Sequence, residues 1–210
     1  MEQVACLTYS HDSMNVVERA TKRVADALCA FVGLVVLSPI FLVVYSLLKK
    51  QGTGSVIFCQ ERIGYKGQPF IIYKFRTMSN EDEENCPKLV ATPDVTKMTK
   101  LECFLRRHHL DELPQLFNVL KGDMSFVGPR PERRYFIDKI MKEDSDYQLI
   151  FEMRPGLTSE ATLYNGYTDT MEKMLKRLHM DIHYLENRSL LLDMHIVIDT
   201  ICAILSGKKF

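Results

Sequence analysis

The sequence predicts an α+β protein, mostly helical, in which an N-terminal apolar helix–break–helix is joined to a small polar domain carrying a short β-hairpin. Three observations lead there. Residues 27–48 read ALCAFVGLVVLSPIFLVVYSLL and carry no charge. Residues 55–60 and 69–75 are short stretches rich in β-formers, with GYKG between them. Most of the chain beyond residue 97 has helical character.

At 210 residues the chain has room for one domain, or one domain with an appendage. Hydrophobic residues make up 46% of it, enough for a core and too many for a disordered chain. The formal net charge is zero, so nothing in the totals draws the protein to nucleic acid. The six cysteines, Cys6, Cys29, Cys59, Cys86, Cys103 and Cys202, form no CxxC pair. That spacing speaks against a zinc site or a disulfide framework and suits a reducing cytosol.

The uncharged run of 22 residues is just long enough to cross a hydrocarbon core of ~30 Å as a straight helix. A cleaved secretory signal does not fit. The run is too long, begins deep in the chain, and is followed by Lys49 and Lys50 instead of small residues. Ser38 and Pro39 break it near its middle. Proline removes a backbone donor and clashes with the preceding turn, and a neighbouring serine hydroxyl can take up the freed carbonyl. Arg19, Lys22 and Arg23 precede the run, and the two lysines follow it. A kinked span would send one basic cluster across the membrane; a re-entrant hairpin keeps both on the cytoplasmic side. The residues favour the hairpin, with the kinked span as the alternative.

The boundaries are therefore residues 1–21 as an N-terminal extension, 22–50 as the membrane helix and 51–210 as the polar domain. After a QGTGS loop, residues 55–60 and 69–75 are expected to pair as a hairpin. Residues 79–94, polar and acidic, predict a solvated loop. A helix is expected over 97–107. A second is expected over 111–121, burying Leu113, Leu116, Phe117 and Leu120 and stopped by Gly122. Further helices are expected over 132–142, 170–184 and 190–205. Asp193 and Asp199 interrupt the last, which suits a core helix, or one lying in a membrane interface, better than a span.

The chemistry concentrates in HLDELPQLFNVLKGDMSFVGPRPE, residues 109–132. Asp111 and Glu112 are adjacent, and DELPQL is also a competent helix start that needs no chemistry. On a helix, neighbours point ~100° apart, so the two carboxylates need not share a proton and can take separate tasks. An ionised Asp can attack phosphorus, and a neighbouring Glu can hold Mg²⁺ together with substrate phosphates. In GPRP, prolines on both sides restrict Arg130, and an ordered guanidinium binds phosphate oxygens in a fork. Lys74 and Arg76 in YKFRTM, Arg106 just before the acids, and Arg154 in RPGLT are further candidate cations. Each is individually compatible with an ordinary surface charge. His108 and His109 have no metal-ligand spacing and are expected at the surface.

Taken together, KRVADAL, the mid-run LSP, GSVIFCQERIG, YKFRTM, LRRHHLDELPQLFNVLKGDMSFVGPRPE and RPGLT resemble the bacterial sugar transferase family, the monotopic phosphoglycosyl transferases. The resemblance covers nearly the whole chain from about residue 22. It implies transfer of a phosphosugar from a UDP-sugar to polyprenol (undecaprenyl) phosphate, initiating a surface glycan. It implies a ping-pong route in which Asp111 attacks, UMP leaves and Glu112 assists with Mg²⁺, the metal contacts being divided between Asp111 and Glu112 in a way the sequence leaves open. It marks Lys74, Arg106 and Arg130 as functional cations, and Asp181 in LHMDIHYLEN as another acid near the site. Arg76 and Arg154 are taken with them as substrate-binding candidates. It also implies a re-entrant helix, interfacial amphipathic helices, the cytoplasmic face of the bacterial inner membrane as location, and the lipid bilayer as partner. A homodimer suits such a membrane-surface enzyme.

One departure stands out. Many relatives follow RPGLT with a glycine–tryptophan segment; here residues 159–162 are SEAT and the chain has no Trp. That loop bears on the donor sugar, which the sequence does not name. A catalytically inactive membrane-bound scaffold is the alternative reading, and the intact DE and GPRP stretches speak against it.

Overall fold

A computed structural model describes residues 12–52, 54–77, 98–166, 168 and 170–206. Cys6, Cys86, most of the N-terminal extension and the acidic loop over 79–94 lie outside the described residues.

Helix α1 (Val16–Val36) begins with a capping box. The Asn15 side chain accepts from the Glu18 amide, and Glu18 accepts from the Asn15 amide. Helix α2 (Ser38–Lys50) follows after Leu37 alone, bent 60° from α1. The bend has a local cause. In a continuous helix residue 39 would donate to the carbonyl of Val35, and Pro39 has no N–H. The Ser38 hydroxyl donates to that carbonyl instead, at 2.7 Å. Among the described residues no single helix is long and apolar enough to cross a membrane; the bent pair passes that test only jointly.

The two helices grip the polar domain differently. Ala30 of α1 is fully buried against Val119 and Met124. Val44 and Leu48 of α2 pack with Val56, Phe75 and Leu105. The opposite sides leave Leu28, Phe31, Val32, Val36, Leu42 and Val43 exposed. Burying an apolar side chain stabilises by ~1.5–3 kcal/mol, so this uncovered stripe is a sizeable unsatisfied driving force in water.

Strands β1 (Ile57–Ile63) and β2 (Pro69–Phe75) form the expected antiparallel hairpin, in register from Ile57 opposite Phe75 to Ile63 opposite Pro69. A 3₁₀ turn (Tyr65–Gly67) joins them, with Lys66 and Gly67 at positive φ. β1 runs three residues past the expected end at 60. Glu61 and Arg62 do not look like strand residues, and their pairing with Ile71 and Phe70 holds them there.

Helix α3 (Lys100–Arg107) starts with a second capping box, Thr99 with Glu102. The expected helix over 111–121 is divided. A 3₁₀ turn (Leu110–Glu112) precedes α4 (Gln115–Lys121), so Asp111 is not the cap of a helix. Nor is the buried face the expected one: Phe117 is 52% exposed, while Gln115, Leu116, Asn118 and Val119 are buried. The reason is polar. Asn118, fully enclosed, donates to the Ile71 carbonyl at 2.6 Å and accepts from the Tyr73 amide at 3.1 Å. It thus satisfies the free edge of β2, and α4 is rotated to present it.

Strand β3 (Ser125–Val127) pairs in parallel with β4 (Gly156–Thr158), two strands the sequence did not reveal. Their approach excludes side chains at Gly128, where a Cβ would lie 2.3 Å from the Arg154 carbonyl oxygen. Helices α5 (Arg134–Glu143), α6 (Tyr147–Ile150), α7 (Glu160–Asn165), α8 (Met171–Asn187) and α9 (Leu190–Leu205) complete the fold. Ile137, Met153, Leu178 and Leu185 centre its main core. The departing SEAT segment caps α7, Ser159 accepting from the Thr162 amide. Helix α9 is half core: Ile196 and Ala203 are buried, while Leu191 is 75% exposed and Met194, Ile198 and Ile201 face outward with it.

Candidate active site

The site is assembled from three segments. His109, in the left-handed region at φ 54°, ends α3 and turns the chain into the 3₁₀ turn that carries Asp111 and Glu112. Pro114 then opens α4 without needing a donor. Strand β2 brings Lys74, whose Nζ donates to Glu112 Oε1 at 2.7 Å. The segment after β3 brings Arg130, whose Nη2 lies 3.5 Å from the same oxygen. Both cations therefore converge on one oxygen of Glu112.

This arrangement separates the two acids electrostatically. Burial pushes Glu112 up, but Lys74 and Arg130 beside it outweigh burial and hold it well below the usual carboxylate range. Asp111 goes the other way. It is only 8% exposed, and burial together with the Glu112 charge raises its carboxyl to about 6, against the opposing pull of Lys74 and Arg106. Glu112 is thus a fixed anion at any physiological pH. Asp111 is a high-energy anion, still ionised at neutral pH and stabilised by whatever disperses its charge. His109, expected at the surface, is half-buried beside Glu112, and burial lowers its basicity.

Arg130 is held in place from behind. Glu132 pairs with Arg177 at 3.0 Å and with Arg62 at 3.5 Å, and Arg62 also donates to the Pro131 carbonyl. Asp181 adjoins this group across a small cavity lined by Arg130, Glu132, Tyr147 and Arg177. It is 4% exposed, takes no hydrogen bond from any described residue, and burial raises it to about 7.

Of the candidate residues, Lys74, Arg106, Asp111, Glu112 and Arg130 come together, with Asp181 behind Arg130. Two arginines do not join them. Arg76 is buried and donates to the carbonyls of Ser55 and Leu48, tying the end of α2 to the hairpin. Arg154 points to the far end of α4, donating to the Gly122 carbonyl at 2.9 Å and stacking over Tyr65. Sequence reasoning missed Asn118, which fixes Lys74's strand against the acid-bearing segment, and the Arg62–Glu132–Arg177 clamp. An asparagine among apolar positions of a short helix was the available signal for the first.

Among the described residues no group of three or more His, Cys, Asp or Glu side chains could hold a metal ion. The donor set here is two carboxylates. That fits Mg²⁺, which takes one or two protein carboxylates and completes its shell with water and substrate phosphates.

A family model described as bacterial sugar transferase matches residues 17–207. The chain is 38% identical over 186 residues to an Aeromonas hydrophila protein named UDP-N-acetylgalactosamine-undecaprenyl-phosphate N-acetylgalactosaminephosphotransferase, covering 89% of this chain and 44% of that one. It is 39% identical over 191 residues to a Klebsiella pneumoniae UDP-glucose:undecaprenyl-phosphate glucose-1-phosphate transferase, covering 90% and 41%. With the exopolysaccharide production protein ExoY of Sinorhizobium fredii it shares 38% identity over 201 residues, covering 88% and 85%. The chain thus spans about two-fifths of the first two relatives and most of the third.

Proposed function

The chain belongs to the bacterial sugar transferase family, and from that premise we propose that it is a membrane-bound phosphoglycosyl transferase. It moves a sugar-1-phosphate from a UDP-sugar to undecaprenyl phosphate, through an acyl phosphate (a mixed anhydride) on Asp111. A carboxylate oxygen of Asp111 attacks the sugar-linked phosphorus; the bond to the bridging oxygen breaks and UMP leaves. A phosphate oxygen of undecaprenyl phosphate then attacks the same phosphorus. The bond to Asp111 breaks, and the carboxylate is regenerated as the lipid diphosphosugar departs.

The observation that carries this reading is geometric: Lys74 and Arg130 both engage one oxygen of Glu112, while the adjacent Asp111, 8% exposed, has no such ion pair among the described residues. A nucleophile gains most when its anion is costly before bond formation and its charge is dispersed afterward. Asp111 meets that description, and Glu112 does not. Lys74, Arg106 and Arg130 supply the positive field that an anion attacking an anionic diphosphate requires. Asp111 and the Glu112 oxygen not engaged by the cations would hold Mg²⁺, which when bound neutralises phosphate charge.

The bent α1–α2 pair enters and leaves the bilayer by one face, placing the site at the headgroup level on the cytoplasmic side of the inner membrane. The exposed apolar stripe, the break at Ser38 and Pro39, and basic flanks at both ends support that placement. The named donors of the relatives differ, so the donor is found with a panel of hexose, acetamido and diacetamido UDP-sugars. Intact-mass measurement should show a phosphosugar adduct with the right donor, absent in Asp111→Asn. No adduct with any donor, alongside UMP release, would remove the covalent route. Impermeant thiol labelling at cysteines introduced at both ends of the pair should report one side; opposite sides would make it a span.

A further inference from the structure

A second cleft lies between the first turns of α1 and the segment leading into β4, lined among others by Lys22, Arg23, Ser125, Arg154 and Arg188. Most of its charges are matched. Lys22 pairs with Asp193, and Arg188 and Arg19 pair with Asp12. Two guanidiniums are not. Arg23 donates to the carbonyls of Val119 and Leu120 at 2.7 and 2.8 Å, and Arg154 to that of Gly122 at 2.9 Å. All three acceptors are neutral, so both cations meet around Gly122 with no carboxylate in an ion pair with either among the described residues. The terminal nitrogens of Arg154 donate to no described residue. The Ser125 hydroxyl, on a residue 1% exposed, has no hydrogen-bond partner among the described residues. Two acids also line the cleft. Asp26 accepts from the Phe126 amide at 3.3 Å, and Glu152 is exposed and can turn to solvent.

The cleft is about 40 Å³, room for about three waters. We propose that it is a second anion site, which takes the phosphate group of an anionic phospholipid, with Arg154 and Arg23 as its cations and Ser125 as hydrogen-bond donor. Its depth decides for a lipid. Arg23 lies four residues before the uncharged run, ~6 Å along the axis, and the headgroup layer outside the hydrocarbon core is also roughly 6 Å thick. The site is distinct from the acidic pair, because the ~10 Å of α4 lies between Glu112 and Gly122. The lipid source rests on the membrane placement proposed above; the phosphate chemistry does not.

The test uses the full chain in nanodiscs of phosphatidylcholine with or without phosphatidylglycerol, released into native mass spectrometry, with inorganic phosphate as competitor. The wild type should retain phosphatidylglycerol over phosphatidylcholine, and phosphate should displace it. Arg154→Gln should reduce retention about tenfold, as expected for one charge-assisted hydrogen-bonding partner. Ser125→Ala, which leaves every ion pair intact, should reduce it in the same direction and covers the case in which Arg154→Gln does not fold. Asp111→Asn should retain lipid like the wild type, so failure of the catalytic reading is seen separately. Phosphate-induced stabilisation without retained lipid would make this an anion site filled from solution and overturn the lipid assignment. Retention indifferent to both substitutions, or absent with no phosphate effect, would overturn the site.

Discussion

Lys74 Nζ lies 2.7 Å from Glu112 Oε1, though the two residues are 38 positions apart in the chain. The contact holds Glu112 ionised; Lys74 also favours the Asp111 anion but does not pair with it, and Asp111 remains the costlier anion of the two. Lys74→Met should let Glu112 rise toward an ordinary carboxylate and lower UMP release by ~10²–10³-fold, with Lys74→Arg restoring part of it. Steady-state turnover on a UDP-sugar checks this. A kcat unchanged in Lys74→Met would detach Lys74 from the chemistry.

The pH profile should expose Asp111. Its carboxyl, raised to about 6 by burial and by Glu112, is ionised only as pH rises through that value. Turnover at pH 5 should therefore be about a tenth of that at pH 8, with the acid limb centred near 6. A limb near 4 would place the reacting carboxylate in a solvated setting.

The same shift has a stability consequence. For a group raised in the folded state, the stabilising contribution is complete below its ordinary value of 3.8 and is lost as pH rises through about 6. Asparagine has no charge to lose. Asp111→Asn should be more stable than wild type at pH 7.5 by about 3 kcal/mol, with the advantage shrinking below pH 6 and gone below 4. Chemical denaturation at both pH values checks it, and the stabler protein should be the inactive one.

Asn118→Ala should cost about 1–2 kcal/mol, because it removes the side-chain partner of the Ile71 carbonyl and the Tyr73 amide at a part-buried strand edge. Lys74 follows Tyr73 directly, so turnover should fall as well. Amide hydrogen exchange should show faster exchange in β2 than in β1. Equal protection of the two strands would mean that Asn118 is not what pins the hairpin.

Much of the site was legible because its residues are close in sequence or carry unusual neighbours. Asp111 and Glu112 are adjacent, Arg130 stands between prolines, and Ser38–Pro39 interrupts an uncharged run. The roles of the remaining arginines were not legible. Arg76 and Arg154 look like Arg130 by residue type, and what separates them is whether a carbonyl at a helix end or a carboxylate meets the guanidinium. The expected helix over 111–121 missed its boundary and its face for a related reason. Periodicity ranks positions by apolarity, while the packing of α4 is set by Asn118 answering an unpaired strand edge.

By itself, then, the sequence determined the elements whose causes are local: the proline break, the capped helices, the β-hairpin, and the adjacency of two acids. Only the tertiary structure decided that these acids differ. Their charge states depend on burial and on cations delivered from β2 and from the segment after β3, and such Coulombic terms follow distance in space, not separation along the chain.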